Sequence, residues 1–420
     1  MRLLARLRTC WFLPLAALLL SGCSKADWMV RQSAMDPKGP VAQLQFDVFM
    51  ATVWLSLVLF VLVGGALVYA VIRYRERSGQ SEDPPPDQGH GNPLVEIGLI
   101  MASVGALVII AIPTLEAIWY LDDVPAEAKP ASKLGAWYKG KVSPEAAEEV
   151  LTIEVVGKQW WFRFEYPQLG LTQQDKRSVP NEMVIPRGKA VRIKLRSEDV
   201  IHSFWIPKIA GKVDLIPGRL NHMWIQGDEV GHYYGQCAEF CGDSHAYMLF
   251  RCVVVEPEEF AAWVERQKAP APEPAAGSLA AKGKQLFAAK TCAMCHRVAG
   301  QFEAGAFGPD LSRVAARTTL AGSWLDHRDP AAQSAIDARG NTEVSAPVDP
   351  ARQRANLARW IGSSGVLVGA DGKPLIPEDV KPGNRMHYYK MFGVAGLRET
   401  RTTLTQEEMD AVVEYLMTLR

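Results

Sequence analysis

The stretch Cys237-Ala238-Glu239-Phe240-Cys241-Gly242-Asp243-Ser244-His245-Ala246-Tyr247-Met248 places two thiols, an imidazole and a thioether within one short loop. Thiolate and thioether sulfurs are soft ligands that select copper, and imidazole suits it as well. One thiolate with a weak Met suits a single electron-transfer copper. Two thiolates, each able to bridge, suit two coppers sharing one electron hole, which lowers the rearrangement needed when an electron arrives. A structural zinc site of two Cys and two His is the rival reading. Met248 argues against zinc, because it is a poor zinc ligand and a natural weak axial ligand for copper. Downstream, Cys292-Ala293-Met294-Cys295-His296 is the attachment pattern for a c-type haem. The chain therefore carries two electron sites in series.

The copper cluster needs a further ligand from elsewhere. The best candidate is His202 in Asp199-Val200-Ile201-His202-Ser203-Phe204-Trp205-Ile206-Pro207, at a strand edge between apolar residues. Two imidazoles would then cap opposite ends of a dicopper pair. Taken alone, His202 would read as a satisfied core histidine. His222 and His232 lie in strand-like runs and read as surface or turn residues.

At 420 residues the chain exceeds the usual size of a single core. Lys plus Arg and Asp plus Glu both number 46, so no overall field favours nucleic acid. Arg2, Arg6 and Arg8 precede an apolar run over residues 11–20, and Leu20-Ser21-Gly22-Cys23 follows. This is the pattern of an export signal, residues 1–22, cut before Cys23. The small residues ahead of Cys23 resemble a bacterial lipoprotein box, so Cys23 is expected to become the lipidated first residue. The seven cysteines then divide without a disulfide. Cys10 goes with the signal, Cys23 with lipid, Cys237 and Cys241 with copper, and Cys292 and Cys295 with haem. Cys252, in an apolar alternation, reads as an inert buried thiol.

Within residues 23–120, two uncharged apolar stretches at about 48–72 and 97–115 are each near the roughly 20 residues that cross a bilayer as a helix. They read as a transmembrane hairpin. Arg73, Arg75 and Arg77 follow the first span, so the positive-inside rule puts the Pro-rich connection, residues 80–93, in the cytoplasm. Both chain ends then face outward, in agreement with lipidation and haem attachment, which occur outside the bacterial cytoplasmic membrane. Trp119 and Tyr120 would sit at the outer interface.

From residue 150 the pattern becomes short runs with period-two alternation, at 151–155, 183–185, 190–195, 222–225 and 247–255, separated by Gly, Pro and Asp turns. This is an all-β sandwich or barrel, residues 150–262. Lys268-Ala269-Pro270-Ala271-Pro272-Glu273-Pro274-Ala275-Ala276-Gly277 can continue neither sheet nor helix, and residues 263–278 read as a semi-rigid linker. Residues 279–420 turn helical. Thr405 and Glu408 form a capping box before apolar positions at helical spacing over 409–419.

The copper loop, His202 with its surroundings, the hairpin and the aromatic run Gly157-Lys158-Gln159-Trp160-Trp161-Phe162-Arg163-Phe164-Glu165-Tyr166 resemble subunit II of haem-copper cytochrome c oxidases. The tail resembles the variant with a fused cytochrome c, and the likeness covers almost the whole chain after the signal. It implies a multidomain membrane protein with a two-helix transmembrane hairpin, a cupredoxin-like β module and an all-α class I cytochrome c domain. By the same resemblance, Cys237, Cys241, His202, His245 and Met248 would be side-chain ligands of the binuclear copper centre CuA, with Glu239 contributing its backbone carbonyl. The Glu239 carboxylate is implied to help hold a magnesium ion at the boundary with subunit I.

The aromatic run would lie beneath the copper, with Trp160, Trp161 and Phe162 as electron-uptake residues. Here the sequence departs from the family, which usually has Trp in place of Phe162. Glu96 opens the second span, and its distance to Pro113 matches the family position that offers a carboxylate at the mouth of a proton channel. An acid there is also stabilised by the helix dipole alone. In the tail, Cys292 and Cys295 would form thioethers to the porphyrin and His296 would be the proximal ligand, with Gly308-Pro309-Asp310-Leu311 on the proximal side. Lys381-Pro382-Gly383-Asn384-Arg385-Met386 resembles the distal loop, making Met386 the sixth ligand. The family usually has Pro after that Met; here His387 follows, and His387 and Met391 are its rivals. A His/Met pair suits a haem that feeds copper. Residues 362–377 look like an insertion, to which no role is assigned.

The resemblance implies a proton-translocating oxidoreductase complex in which this chain performs no bond chemistry alone. An external cytochrome c or a cytochrome bc-type donor would reduce the haem, and the electron would pass to CuA and then to a haem in subunit I, where oxygen becomes water. The expected partners are subunits I and III, the donor and membrane lipid. Tethering would raise the local concentration of the donor domain. A nitric oxide reductase with a CuA subunit, or a membrane-anchored copper and haem carrier outside any oxidase, shares these features. A quinol oxidase subunit lacks the copper ligands, a copper chaperone needs no haem domain, and nitrous oxide reductase needs many more histidines than the eight here.

Overall fold

The computed structural model describes residues 30–75, 89, 91–125, 150–337, 344–363, 380–382, 386 and 403–420. The chain divides into two units, one of residues 43–142 and one joining the residues up to 42 with those from 143 onward.

The first unit is a helical pair, α1 (Pro40–Arg73) and α2 (Pro93–Asp122), of 34 and 30 residues. At about 1.5 Å per residue each exceeds the roughly 30 Å of a bilayer core, and each runs beyond the apolar stretch read from sequence. Their apolar side chains point outward, with Phe60 75% and Leu94 80% exposed. Such a surface is stable against lipid and a liability in water. Asn92 starts α2 by accepting from the Leu94 N–H, Pro93 occupies the first helical position, and Glu96 lies in the first turn. Cys23 with the signal, Arg77 and residues 81–88 lie outside the described residues.

The second unit begins with the β module. Its strands are β1 (Thr152–Lys158), β2 (Trp161–Glu165), β3 (Val179–Pro180), β4 (Glu182–Pro186), β5 (Val191–Ser197), β6 (His202–Trp205), β7 (Lys212–Leu215), β8 (Asn221–Ile225), β9 (Gly231–Cys237) and β10 (Leu249–Val255). They form two five-stranded sheets, in the orders β3-β2-β1-β5-β8 and β4-β10-β9-β6-β7. Period-two patterning drives this: Val191, Ile193 and Leu195 point inward from β5 while Arg192 and Lys194 remain partly exposed. The core between the sheets is aromatic, with the Phe204 and Phe250 rings stacked 4.8 Å apart and Phe162 5.0 Å from Phe250. Cys252 is fully buried in β10, and burial pushes its thiol up.

Strands β3 and β7 were not expected, and β6 and β9 were anticipated only as the strand edge at His202 and the strand-like run around His232. In β9 the inward positions include Gly231 and Gly235, which carry no β-branched signal. Gly235 is required by packing, since a Cβ there would lie 2.2 Å from the Phe250 ring. The aromatic run is not one strand but a β1–β2 hairpin, with Lys158 paired to Trp161.

The helix α3 (Pro257–Lys268) packs back on the β module, Trp263 lying 5.2 Å from Tyr166. The C-terminal domain comprises α4 (Leu279–Ala289), α5 (Cys292–Cys295), a small hairpin of β11 (Thr319–Leu320) and β12 (Leu325–Asp326), α6 (Pro330–Asp337), α7 (Pro350–Ile361) and α8 (Gln406–Thr418). Gly283 lets α4 touch α8, because a Cβ there would meet the Ala411 carbonyl oxygen at 1.9 Å. Phe287 and Tyr415 fill the crossing edge to face at 5.5 Å. The Thr405–Glu408 capping box is formed in both directions. The Pro-rich stretch is laid along this domain rather than standing off it. Ala271 is buried in the helical core, and Arg313 donates to the Ala269 and Pro270 carbonyls at 2.6 and 3.2 Å.

Candidate metal centres

The copper loop is the β9–β10 connection, closed where the Cys237 N–H donates to the Met248 carbonyl at 2.9 Å. His202 opens β6, which pairs with β9 through Phe204 and Cys237, so the strand edge carries the imidazole to the loop. The Sγ atoms of Cys237 and Cys241 lie 3.7 Å apart, and both thiols are free. His202 Nδ1 is 3.9 Å from the Cys237 sulfur, and His245 Nδ1 is 3.6 Å from the Cys241 sulfur. The Met248 sulfur stands 3.8 Å from Cys241, and the Glu239 carbonyl accepts from the Cys237 thiol at 3.2 Å.

Each of the two sulfurs thus has one imidazole and one weaker donor beside it. This near-symmetric set of two thiolates, two imidazoles, a thioether and a carbonyl fits two coppers, and a tetrahedral zinc site would leave Met248 unused. The cluster is dry, with His202 and Met248 fully buried and Cys241 3% exposed. The two sulfurs are unequal in acidity, Cys237 being favoured as thiolate and Cys241 as thiol. The Cys241 hydrogen bond, with help from His202, pulls Cys237 down against burial, and Cys241 is pushed up by that neighbour and by burial. A cation held by these residues would favour both sulfurs as thiolates, because metal-ligating cysteines are deprotonated.

His202 is aimed by a residue that sequence reading passed over. The Asp199 carboxylate receives His202 Nε2 at 2.7 Å and also accepts the Gln159 and Val200 N–H groups at 2.7 Å. It turns Nδ1 toward the sulfur, the outer-ligand arrangement common at metal-bound histidines. Its position three residues before His202 was the available signal. Among the described residues the metal-ligating group that forms is His202, Cys237 and Cys241; the Glu239 carboxylate takes no part in it.

In the C-terminal domain, Cys292 and Cys295 occupy one turn of α5, and His296 follows in extended backbone. His296 Nδ1 donates to the Pro309 carbonyl at 2.9 Å, leaving Nε2 for a ligand. Gly308 lies flat against the imidazole, and a Cβ there would come within 2.6 Å of Cε1. The Gly308-Pro309 pair is therefore a cradle for the His296 ring, and the site fits a haem bound through that nitrogen. Burial pushes the Cys292 thiol up to about 11. Met386 is half-buried against the same core as Phe302, Leu311 and Trp360. His387, Met391 and residues 364–377 lie outside the described residues.

The aromatic residues separate in role. The buried Trp160 indole N–H and the Gln159 amide both donate to the Cys241 carbonyl, each at 2.9 Å. Phe162 is a core residue 6.4 Å from the His202 ring. Trp161 is half-exposed, with the Lys158 ammonium 5.7 Å from its ring. Two contacts from the Met386 segment were not anticipated: Lys381 Nζ donates to the Trp160 carbonyl, and the Ser244 hydroxyl donates to the Pro382 carbonyl. Burial pushes Lys381 down to about 7. His222 is exposed, as expected. His232 is half-buried on β9 and lies near Arg251 and Arg328.

A family model for the cytochrome c oxidase subunit II periplasmic domain matches residues 151–256, and one for cytochrome c matches residues 280–365. The cytochrome c oxidase subunit 2 of Alkalihalophilus pseudofirmus is 30% identical over 411 residues, spanning 97% of this chain and 96% of that protein. The chain belongs to the cytochrome c oxidase subunit II family. The subunit 2 of Bacillus subtilis is 29% identical over 417 residues, covering 97% of this chain and 96% of its own. The periplasmic domain of oxidase subunit II from Bradyrhizobium japonicum is 42% identical, covering 28% of this chain and 93% of its own, with a TM-score of 0.26. As a subunit II, the chain is a membrane-anchored electron-transfer component of an oxidoreductase complex. Its family implies copper in the β module, haem in the C-terminal domain and association with other oxidase subunits.

Proposed function

We propose that the chain takes electrons onto its own c-type haem, passes them to a binuclear CuA centre and delivers them to subunit I of a terminal oxidase, where oxygen is reduced to water with proton pumping. When bound, the haem and the copper pair supply reversible one-electron chemistry, each oxidised by one electron as the next acceptor is reduced. The observation that carries this reading is the run of contacts between the two sites. Lys381 and Pro382, a few residues before Met386, rest on the Trp160 carbonyl and on Ser244, which precedes His245. Trp160 in turn donates to the carbonyl of Cys241. A short hydrogen-bonded bridge thus joins the distal segment to a copper ligand.

In this reading the Cys237 and Cys241 thiolates and the His202 and His245 imidazoles would hold the copper pair, with Met248 and the Glu239 carbonyl as weaker donors. Asp199 holds the His202 ring, and Gly308 and Pro309 hold that of His296. Cys292 and Cys295 anchor the porphyrin, Met386 is the sixth ligand, and Trp160 is the uptake residue next to copper, with Trp161 and Phe162 behind it. Glu96 offers a carboxylate to a proton channel of subunit I, and the Glu239 carboxylate offers one to magnesium at that boundary. The chain spans the bacterial inner membrane with both redox modules on the outer side, lipid on Cys23, subunits I and III as neighbours and a cytochrome c or bc-type complex as donor.

Rapid mixing of the assembled oxidase with a reduced donor, followed at the haem and near-infrared copper bands, tests this. Haem reduction should precede copper reduction, and a Cys237→Ser enzyme should keep its haem reduced and consume no oxygen. Copper reduced ahead of haem would overturn the order. Consumption of nitric oxide in place of oxygen would assign the chain to the other reductase.

A further inference from the structure

The sequence presents the C-terminal domain as tethered by a spacer and free to approach the copper. The β11–β12 hairpin indicates otherwise. Its turn residues Ala321, Gly322 and Ser323 have φ of 56°, 67° and 59°, and the turn presents the Gly322 and Ser323 carbonyls and the Ser323 hydroxyl at its tip. That tip lies on the β module. The Leu249 N–H donates to the Gly322 carbonyl at 2.9 Å, and the Ser323 hydroxyl donates to the Asn181 carbonyl at 3.3 Å. The Arg251 guanidinium reaches the Ser323 carbonyl at 3.4 Å.

Beside the tip, one carboxylate oxygen of Glu182 accepts four hydrogen bonds, from the N–H and hydroxyl of both Thr318 and Thr319, at 2.7 to 2.9 Å. Tyr247 and Trp324 meet edge to face at 4.5 Å. The turn is pressed against the uptake residue itself: a Cβ on Gly322 would lie 3.2 Å from the carbonyl oxygens of both Trp160 and Tyr247. The charged partners are nearly dry, Arg251 being 3% and Glu182 9% exposed. Partial separation would leave a buried carboxylate and guanidinium short of partners, which is a strongly unfavourable state.

We propose that the β11–β12 hairpin is a latch that keeps the C-terminal domain seated over Trp160 without help from the covalent spacer, so that a soluble donor protein reaches copper only through the haem. The seat covers the Trp160 carbonyl with Gly322 and Lys381 side by side, since a Cβ on Gly322 would lie 2.5 Å from the Lys381 Nζ that donates to that carbonyl. An external donor must therefore dock elsewhere on the C-terminal domain. The electronic half of this inference rests on the function proposed above; the latch itself is a statement about contacts.

The test uses the assembled, membrane-bound oxidase with a protease site inserted between Lys268 and Ala269. After cleavage and washing, haem c should stay with the membranes. In a Gly322→Val chain, where a β-branched side chain meets both positive φ and the Trp160 carbonyl, cleavage should release a soluble domain with an unaltered haem spectrum. Oxidative footprinting should then show Tyr247 newly reactive. Glu182→Ala, which leaves the C-terminal domain untouched, should release part of it. Copper in the stripped membranes should become directly reducible by soluble reduced cytochrome c. Loss of the domain from the parent chain on cleavage alone, equal retention of the Gly322→Val domain, or direct copper reduction ahead of haem in the cut parent would each overturn the proposal. A domain that stays latched while its haem fails to reduce copper would instead defeat the electron route and leave the latch standing.

Discussion

Two hairpin connections dominate this molecule, and they are written in different chemical languages. The β9–β10 loop carries its function in side chains: sulfur, imidazole and thioether within twelve residues of sequence. The β11–β12 turn carries its function in backbone, through carbonyls exposed by three successive positive φ values and a glycine pressed against Trp160. A ligand set is restricted to few residue types, so it announces itself. A docking turn built from carbonyls is satisfied by almost any sequence that can bend there, so it stays silent.

Substitution should expose this contrast. The largest effect is expected for Cys241→Ala, which removes the sulfur that stands between Cys237, His245 and Met248. Copper analysis should show loss of the pair, and oxygen uptake should fall to background. A binuclear signal surviving in that variant would mean the sulfurs do not bridge. Next comes Asp199→Ala, which leaves every ligand in place but frees the His202 ring. Copper affinity, measured by competition with a chelator, should drop about 10–100-fold. An unchanged affinity would reduce Asp199 to a local turn residue.

The smallest effect is a response to acidity that the two regions share through one histidine each. His327, at the end of β12, is held neutral and down to about 4, chiefly by burial and further by Arg352 and Arg317 against Asp326. His232 is also down to about 4, through burial and the positive charges of Arg328 and Arg251. An unfolded histidine protonates near about 6.5, so the unfolded chain takes up protons first. Stability of both the latch region, through His327, and the copper module, through His232 on β9, should be constant above that value and fall as pH drops from about 6.5 toward 4. In the copper module, burial raises Glu198 but hydrogen bonds from Lys158 and Arg163 prevail and hold it down to about 2. Its contribution is present above the ordinary carboxylate range and lost only below it. Thermal melts followed at the haem and copper bands should therefore both move down on mild acidification, His327 acting on the haem side and His232 on the copper side; a melt at either band that holds constant from about pH 6.5 to about pH 4 would refute the assignment for that side.

Much of the fold was legible because periodicity and composition are local. The two spans, the alternating strands β1, β5 and β10 and the capped helix α8 stand where the residues put them. What escaped notice depended on partners far away in sequence. Gly235, one of the glycines that weaken the reading of β9, is there to admit the Phe250 ring. Lys381 is a loop residue until the fold sets it on Trp160, more than two hundred positions earlier. Glu182 is an ordinary strand acid until Thr318 and Thr319 close over it. The copper ligands were legible as types, while Asp199, which aims one of them, was not, because a carboxylate near a histidine has many other uses.

The decisive measurement is metal and haem quantitation on the purified full chain, joined to its electron paramagnetic resonance spectrum after one-electron oxidation. Two coppers and one haem per chain, with a hyperfine pattern from two equivalent coppers sharing one unpaired spin, is the predicted result. A fully loaded chain showing an ordinary single-copper signal, or zinc as its native metal, would contradict it.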